Sequence, residues 1–166
     1  MKKIAWYFFM FVTINVFAQD TFYSLEEALE HPEKVKRLIL KRKKIETIPK
    51  EILQLHNLEE LDLTGNRLSS LPDEIQGLKK LKKLNLSRNR FHEFPGILVS
   101  MYWLQYLDLW DNEIEHVALG VEQMKGLVEL ELRGIQLPQQ RIDSIRALLP
   151  KSKVFFSDPC DCIYNK

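Results

Sequence analysis

The sequence has no excess of charge of one sign and no long apolar run in its interior. Its 24 Lys and Arg residues are balanced by 23 Asp and Glu residues, which gives a formal net charge of +1 at pH 7 over 166 residues. Proteins that hold nucleic acid by bulk electrostatics normally carry a clear basic excess, so we expect no nucleic-acid partner. The one apolar run that approaches membrane length stands at the very start of the chain, so we expect no stable membrane span after it.

The motifs of the common enzyme classes are also missing. The sequence holds no P-loop, no GxSxG, no HExxH and no credible Ser/His/Asp order. The histidines are scattered among positions predicted as loops or caps, namely His31, His56, His92 and His116. Loop histidines in solvent explain them more simply than a weak metal or acid–base cluster of His92 and His116 with Glu93 and Glu115. We therefore predict no catalytic residue, no metal site, no cofactor and no enzymatic activity.

Cysteine is scarce. The two cysteines, Cys160 and Cys162, lie in the DPCDC segment near the C-terminus. A disulfide between them closes a small, strained ring, and a bond between chains or a pair of free thiols are the alternatives, all three of which stay open. Two thiols are too few for a structural zinc site, which needs four ligands.

The first 18 residues have the pattern of a secretory signal peptide. Lys2 and Lys3 precede an apolar run, and the run ends in a VFA cleavage motif before Gln19. The alternative is an uncleaved anchor, but the run is shorter than the about 20 apolar residues that span a bilayer. No cysteine follows the run, so a bacterial lipoprotein anchor is not indicated. We expect residues 1–18 to be a signal peptide and the protein to be secreted or periplasmic.

A 23-residue period organises most of the remaining chain, over residues 35–137. Each of five units, starting near positions 35, 58, 81, 104 and 127, opens with the apolar pattern LxxLxL, with Val once. The central apolar positions are Leu38, Leu61, Leu84, Leu107 and Leu130. An Asn recurs after the strand pattern at Asn66, Asn89 and Asn112, and a Pro recurs in the second half at Pro49, Pro72 and Pro95. Self-similarity at a fixed period of this length is the signature of a repeat architecture.

These five units resemble the leucine-rich repeat family, and in particular its 23-residue class with the pattern LxxLxLxxNxLxxLPxxIxxL. Bacterial secreted members of the family are similar. The resemblance implies an α/β solenoid with a curved parallel sheet, an extended or loop convex side, and helical caps at both ends. It also implies a non-catalytic module that binds a protein or peptide by the concave face of the sheet.

The residue pattern of one unit agrees with this resemblance. The LxL alternation turns one set of side chains inward and the set between them outward, as in a strand. No unit could bury its apolar face alone, so stacked units share one core. The short Asn amide both donates and accepts, so Asn66, Asn89 and Asn112 are predicted to form a structural ladder where the chain leaves each strand.

Two segments outside the repeats are predicted to cap the solenoid. In residues 19–34, the capping box from Ser24 to Glu27 predicts a helix over 25–30, which would cover the open edge of the first unit together with Phe22. In residues 138–157, a helical pattern over 139–149 is followed by a last strand around Val154 and Phe156. Residues 158–166 are predicted to be a tail.

The outward positions of the strands supply the candidate binding residues. The fourth unit is the most suggestive, because Tyr106, Asp108 and Trp110 share one face, Arg133 is expected to neighbour Trp110, and large aromatics and Arg often anchor interfaces. The alternative is a Trp110 ring that lies flat on the sheet with Arg133 stacked over it, and the two interpretations do not exclude each other. The full set of candidates is Asp62, Asn85, Tyr106, Asp108, Trp110, Glu129, Glu131 and Arg133. A structural or assembly spacer, linked through the C-terminal cysteines, is the alternative to a binding module.

Overall fold

The computed structural model describes residues 20–117 and 120–157. The predicted signal peptide and the tail with Cys160 and Cys162 lie outside the described residues, so both stay predictions. The described part contains one open, uncurled, seven-stranded sheet, with all strands parallel and in chain order. The strands are β1 (Thr21–Phe22), β2 (Arg37–Ile39), β3 (Glu60–Asp62), β4 (Lys83–Asn85), β5 (Tyr106–Asp108), β6 (Glu129–Leu132) and β7 (Lys153–Phe156).

The register of the sheet follows the sequence period, so the predicted columns are confirmed. Leu84 pairs with Leu61 on one side and Leu107 on the other, and all three are at most 2% exposed. The last pairing joins Leu130 to Val154, which confirms the one-residue slip expected between β6 and β7. Strands β2 to β6 therefore each add leucines to a continuous core, which Phe22 of β1 and Val154 and Phe156 of β7 extend at its two ends. This arrangement fixes which side chains face outward.

The side opposite the strands carries short 3-10 helices where extended or loop segments were expected. Three of them follow the recurring prolines, at Lys50–Gln54, Asp73–Gly77 and Gly96–Ser100, and a fourth spans Val121–Gln123. A proline with its fixed φ is suited to precede the first turn, and the tight 3-10 geometry suits such short pieces. Each 3-10 helix turns one apolar side chain into the core, namely Ile52, Ile75, Leu98 and Val121.

The N-terminal end differs from the expectation. Helix α1 (Leu25–Glu30) is present, and the Ser24 hydroxyl accepts a hydrogen bond from the Glu27 N–H at 3.1 Å. The edge of β2, however, is covered by β1, a strand that the sequence pattern did not predict, in which Phe22 pairs with Leu38. Helix α1 packs beside β1 and the first 3-10 helix instead.

The C-terminal end carries helix α2 (Gln139–Leu148) between β6 and β7. Ile142 and Ile145 are buried, whereas Leu148 is 45% exposed, so one face of α2 packs on the solenoid beside the last 3-10 helix. Neither helix of the described ranges is long and apolar enough to cross a bilayer.

Candidate binding face

Three buried asparagines stand where the chain leaves β3, β4 and β5, and they join neighbouring units. The Asn89 amide group donates to the carbonyl oxygens of Leu86 at 2.9 Å and Leu63 at 3.0 Å, and its oxygen accepts from the Leu68 N–H at 3.0 Å. Asn66 and Asn112 make the equivalent bonds. Because every polar atom of these amides is used inside the fold, the Asn ladder holds the sheet together and offers nothing to a ligand.

The exposed sheet face is formed by the residues that alternate with the buried leucines along β2 to β7. Its central part is an open depression of about 200 Å³. The polar and aromatic side chains that line the depression are Glu60, Asp62, Lys83, Asn85, Tyr106, Asp108, Glu129 and Glu131. Six of the eight candidate binding residues are thus gathered around one feature, and Trp110 and Arg133 lie outside its lining.

Asp62, Asn85, Asp108 and Glu131 stand side by side on β3 to β6 and are called the acidic row below. The position of their side chains has a local structural cause. Asp62, Asn85 and Asp108 each accept a hydrogen bond from the backbone N–H two residues later, at 3.1, 2.9 and 2.9 Å. Glu131 repeats the bond with Arg133 at 2.9 Å. Short acceptor side chains readily form this local turn, so the row closes the ends of the strands.

Cations neutralise the two ends of the acidic row. Lys41 pairs with Asp62 at 3.1 Å, and the Arg133 guanidinium binds Glu131 at 2.6 Å. Asp108, between them, has no salt bridge within the residues that the structure describes. Burial raises the pKa of Asp108, the hydrogen bond from Trp110 opposes that shift, and the like charges of Glu131 and Asp62 add to it.

Trp110 has a different stacking partner from the one expected. Its ring lies under the guanidinium of Arg88, whose central carbon is 4.4 Å from the ring centroid. Arg133, the expected partner, is held by Glu131 and lies 5.8 Å from the ring of Phe155. The expectation was wrong because the bidentate pair with Glu131 draws the Arg133 side chain back along its own strand.

Arg88 occupies a repeated backbone position of unusual conformation. The residue directly before the ladder position is left-handed in all five units, with φ of 54° at Arg42, 69° at Gly65, 54° at Arg88, 56° at Asp111 and 76° at Gly134. Glycine adopts this conformation freely, whereas a residue with a Cβ in this conformation costs the fold roughly 1–2 kcal/mol of stability. Two units use glycine, so the fold accepts glycine at this place.

Sequence reasoning missed Arg88 as part of the candidate site. Alternation places Ser87 outward and gives no direction for the left-handed residue after it. The signal was available from the period, because Arg88 is one unit after Gly65 and one unit before Asp111. Its Nε lies 3.5 Å from the Asp111 carboxylate, so Arg88, Trp110 and Asp111 form one cluster beside the depression.

The histidine cluster does not assemble as a site. His92 contacts Glu113 at 2.7 Å through Nε2, and both side chains are 66% exposed, whereas His116 forms a backbone bridge with Glu93. Over residues 20–117 and 120–157, no three His, Cys, Asp or Glu side chains are grouped so that they could hold a metal ion.

Comparisons with known proteins agree with this geometry. The family model described as leucine rich repeat matches residues 33–91. A solved leucine-rich repeat protein from Leptospira interrogans is 34% identical, with a TM-score of 0.71 over 82% of this chain and 34% of its own. The leucine-rich repeat domain of APL1B, at 22% identity, has a TM-score of 0.58 over 76% of this chain and 38% of its own, and shows the fold alone. No curated protein sequence gives a match.

The chain carries leucine-rich repeats and has the fold of leucine-rich repeat solenoids, as its period predicted. It spans about a third of the length of each of these two solved structures. The family suggests a module for protein–protein interaction, and its fold is typically a binding scaffold without enzymatic activity.

Proposed function

We propose that the protein is a non-catalytic binding module of the cell envelope or exterior, which holds a protein or peptide partner on the exposed sheet face at the fourth unit. The observation that carries this proposal is the cluster of Trp110 and Arg88 beside the depression. Tryptophan, tyrosine and arginine are the residues that most often dominate the binding energy of an interface. Here all three types meet within two neighbouring strands and the turns that follow them.

The depression supports a polypeptide partner more than a small molecule. At about 200 Å³ it is below the size of most small-molecule pockets, and it lies open on the sheet. The strands that form its floor turn their leucine side chains into the core, and its lining carries hydrogen-bonding and charged groups at the strand spacing of about 4.8 Å. A chain laid across the strands would meet one such group at each strand.

The location outside the cytoplasm rests on the signal-peptide pattern of residues 1–18. The non-catalytic nature rests on the absence of enzyme motifs from the sequence and on the usual role of the fold.

A photo-crosslinking experiment tests the binding face. A photoreactive phenylalanine derivative replaces Tyr106, which lines the depression, in the full-length protein expressed in its native host. The matched control replaces Tyr102, which is 65% exposed in the turn before β5, away from the depression lining. The proposal expects a defined crosslinked partner from position 106 and none from position 102.

The other outcomes are equally informative. A partner crosslinked from position 102 alone would move the interface off the exposed sheet face and overturn the proposal. The proposal also fails if no partner is crosslinked from position 106 and charge reversals across the exposed sheet face leave the phenotype of the host unchanged. The solenoid is then a spacer.

A further inference from the structure

Arg88 keeps a strained backbone where the fold accepts glycine. The equivalent residues Gly65 and Gly134 have the same left-handed backbone without a side chain, so the chain loses nothing structural by having no Cβ there. Arg42 shares the conformation in the first unit. A residue held in a sparsely populated conformation, where an unstrained one would fit, points to a role for its side chain.

The surroundings of Arg88 separate it from Arg42. Within the described residues, the Arg88 guanidinium has an aromatic platform, the Trp110 ring at 4.4 Å, and a loose carboxylate neighbour, Asp111, at 3.5 Å from Nε. The Arg42 side chain lies beside Gly65, and it makes no ion pair or ring contact with any residue that the structure describes. Arg88 is thus the left-handed arginine that the fold holds in place.

The donors of Arg88 remain largely unused. Arg133, by comparison, makes hydrogen bonds of 2.6 and 2.9 Å to both oxygens of Glu131. No hydrogen bond of the Arg88 side chain is found among the described residues, and this side chain is 45% exposed. Stacking uses the flat face of a guanidinium and leaves the N–H groups at its edge free, and that edge matches the two oxygens of a carboxylate.

We infer that Arg88, backed by Trp110, is a specificity-determining residue that receives a carboxylate of the partner polypeptide. This inference rests on the proposed function, because it names the chemistry of one contact on the same face. The carboxylate belongs to an Asp or Glu side chain or to the end of the partner chain, and both sources present the same pair of oxygens.

The test is a titration with synthetic peptides, followed by NMR of the Arg Nε–H and Trp indole N–H signals of the full protein. One seven-residue Gly/Ser peptide has a central Glu and blocked ends, a second has Gln instead, and a third has no Glu but a free C-terminal carboxylate. We expect the first or the third peptide to shift the Arg88 and Trp110 signals, and the Gln peptide to bind about tenfold more weakly. A response to the first peptide identifies a side chain as the source of the carboxylate, and a response to the third identifies the end of the partner chain.

Two variants control for charge and folding. Arg88→Gly should abolish the shift of the Trp110 signal while the melting temperature stays the same or rises, because the backbone strain is relieved. Arg42→Gly removes the same charge and the same strain in the first unit, and it should bind as the unmodified protein does.

Several results would overturn the inference. They are binding of both carboxylate peptides no tighter than that of the Gln peptide, no shift at Arg88 with either carboxylate peptide, or equal weakening by Arg88→Gly and Arg42→Gly. The proposed function fails separately, in the crosslinking experiment. A partner crosslinked from position 106 without any carboxylate response at Arg88 removes this inference alone.

Discussion

The guanidinium of Arg88 and the ring of Trp110 form a cation–π contact across neighbouring units, with 4.4 Å between the guanidinium carbon and the ring centroid. The contact leaves Trp110 only 37% exposed, although it stands on the outward side of the sheet. A side chain held in one orientation before binding loses less conformational entropy when a partner arrives. The fourth unit therefore presents an aromatic anchor that is already ordered.

The Asn ladder should be a large contributor to stability. Asn89→Ala removes the acceptor of the buried Leu68 N–H. It also removes one of the two donors to each of the Leu63 and Leu86 carbonyl groups, which keep their bonds from Asn66 and Asn112. We expect the free energy of unfolding to fall by about 2 kcal/mol, because the buried Leu68 N–H is left without a partner and two buried carbonyl groups each lose one of two hydrogen bonds. Urea denaturation of Asn89→Ala and of the unmodified protein measures this change in the free energy of unfolding.

The control for the ladder is Asn57→Ala. The Asn57 side chain makes solvent-exposed hydrogen bonds, so its removal should lower the free energy of unfolding by less than about 1 kcal/mol. Equal losses for the two variants would contradict the structural role of the ladder.

A methyl group at Gly126 should disrupt the turn before β6. A Cβ there would overlap the backbone carbonyl of Tyr102, to which the Gly126 N–H also donates at 3.0 Å. We expect Gly126→Ala to lower the free energy of unfolding by about 2 kcal/mol or more, since backbone cannot move aside as a side chain can. A Cβ at Gly77 would meet nothing within 4 Å, so Gly77→Ala should change stability by less than about 1 kcal/mol in thermal melts. Similar melting temperatures for the two variants would contradict the close approach of Gly126 to the Tyr102 carbonyl group.

The charge of Asp108 should weaken the fold at neutral pH. Its pKa is raised in the folded chain, chiefly by burial, so the folded chain binds more protons than the unfolded chain between the ordinary and the raised pKa. Stability therefore falls as pH rises through that window, and the loss is complete above the raised pKa. Asp108→Asn keeps an oxygen for the Trp110 N–H and removes the charge.

We expect Asp108→Asn to raise the free energy of unfolding at neutral pH by less than about 1 kcal/mol, because the half-exposed group is screened by solvent. The gain should disappear below the ordinary pKa of the carboxyl group. Asn85→Asp is the opposite change, since it places a third carboxylate between Asp62 and Asp108, and it should destabilise at neutral pH. Denaturation at several pH values measures both variants, and a loss of stability in Asp108→Asn at neutral pH would contradict the electrostatic account.

The sheet could be predicted from the sequence because one strict period fixes many positions together. Once Leu61, Leu84 and Leu107 are aligned, alternation decides which neighbours face outward, and the observed register agrees. Strand β1 escaped prediction because Thr21–Phe22 is two residues long and belongs to no repeat. It pairs with the edge strand of the repeats, β2, which the period alone does not indicate.

The Arg88–Trp110 contact could not be predicted by alternation. Arg88 follows Ser87, which alternation places outward although it is buried in the structure. At Arg88 the backbone turns left-handed, and the strand rule no longer gives the direction of a side chain. The competing pair of Arg133 with Glu131 also depends on side-chain geometry that the period does not specify.

The most direct test of the central claim is the affinity of the partner identified by crosslinking for the Trp110→Ala variant. Binding should weaken by roughly thirtyfold or more, as expected when an aromatic anchor is truncated. Tyr102→Ala, at a more exposed aromatic residue away from the depression lining, should bind normally, and both variants should melt close to the unmodified protein. Unchanged affinity in Trp110→Ala, with intact folding, would show that the fourth unit is not the binding surface.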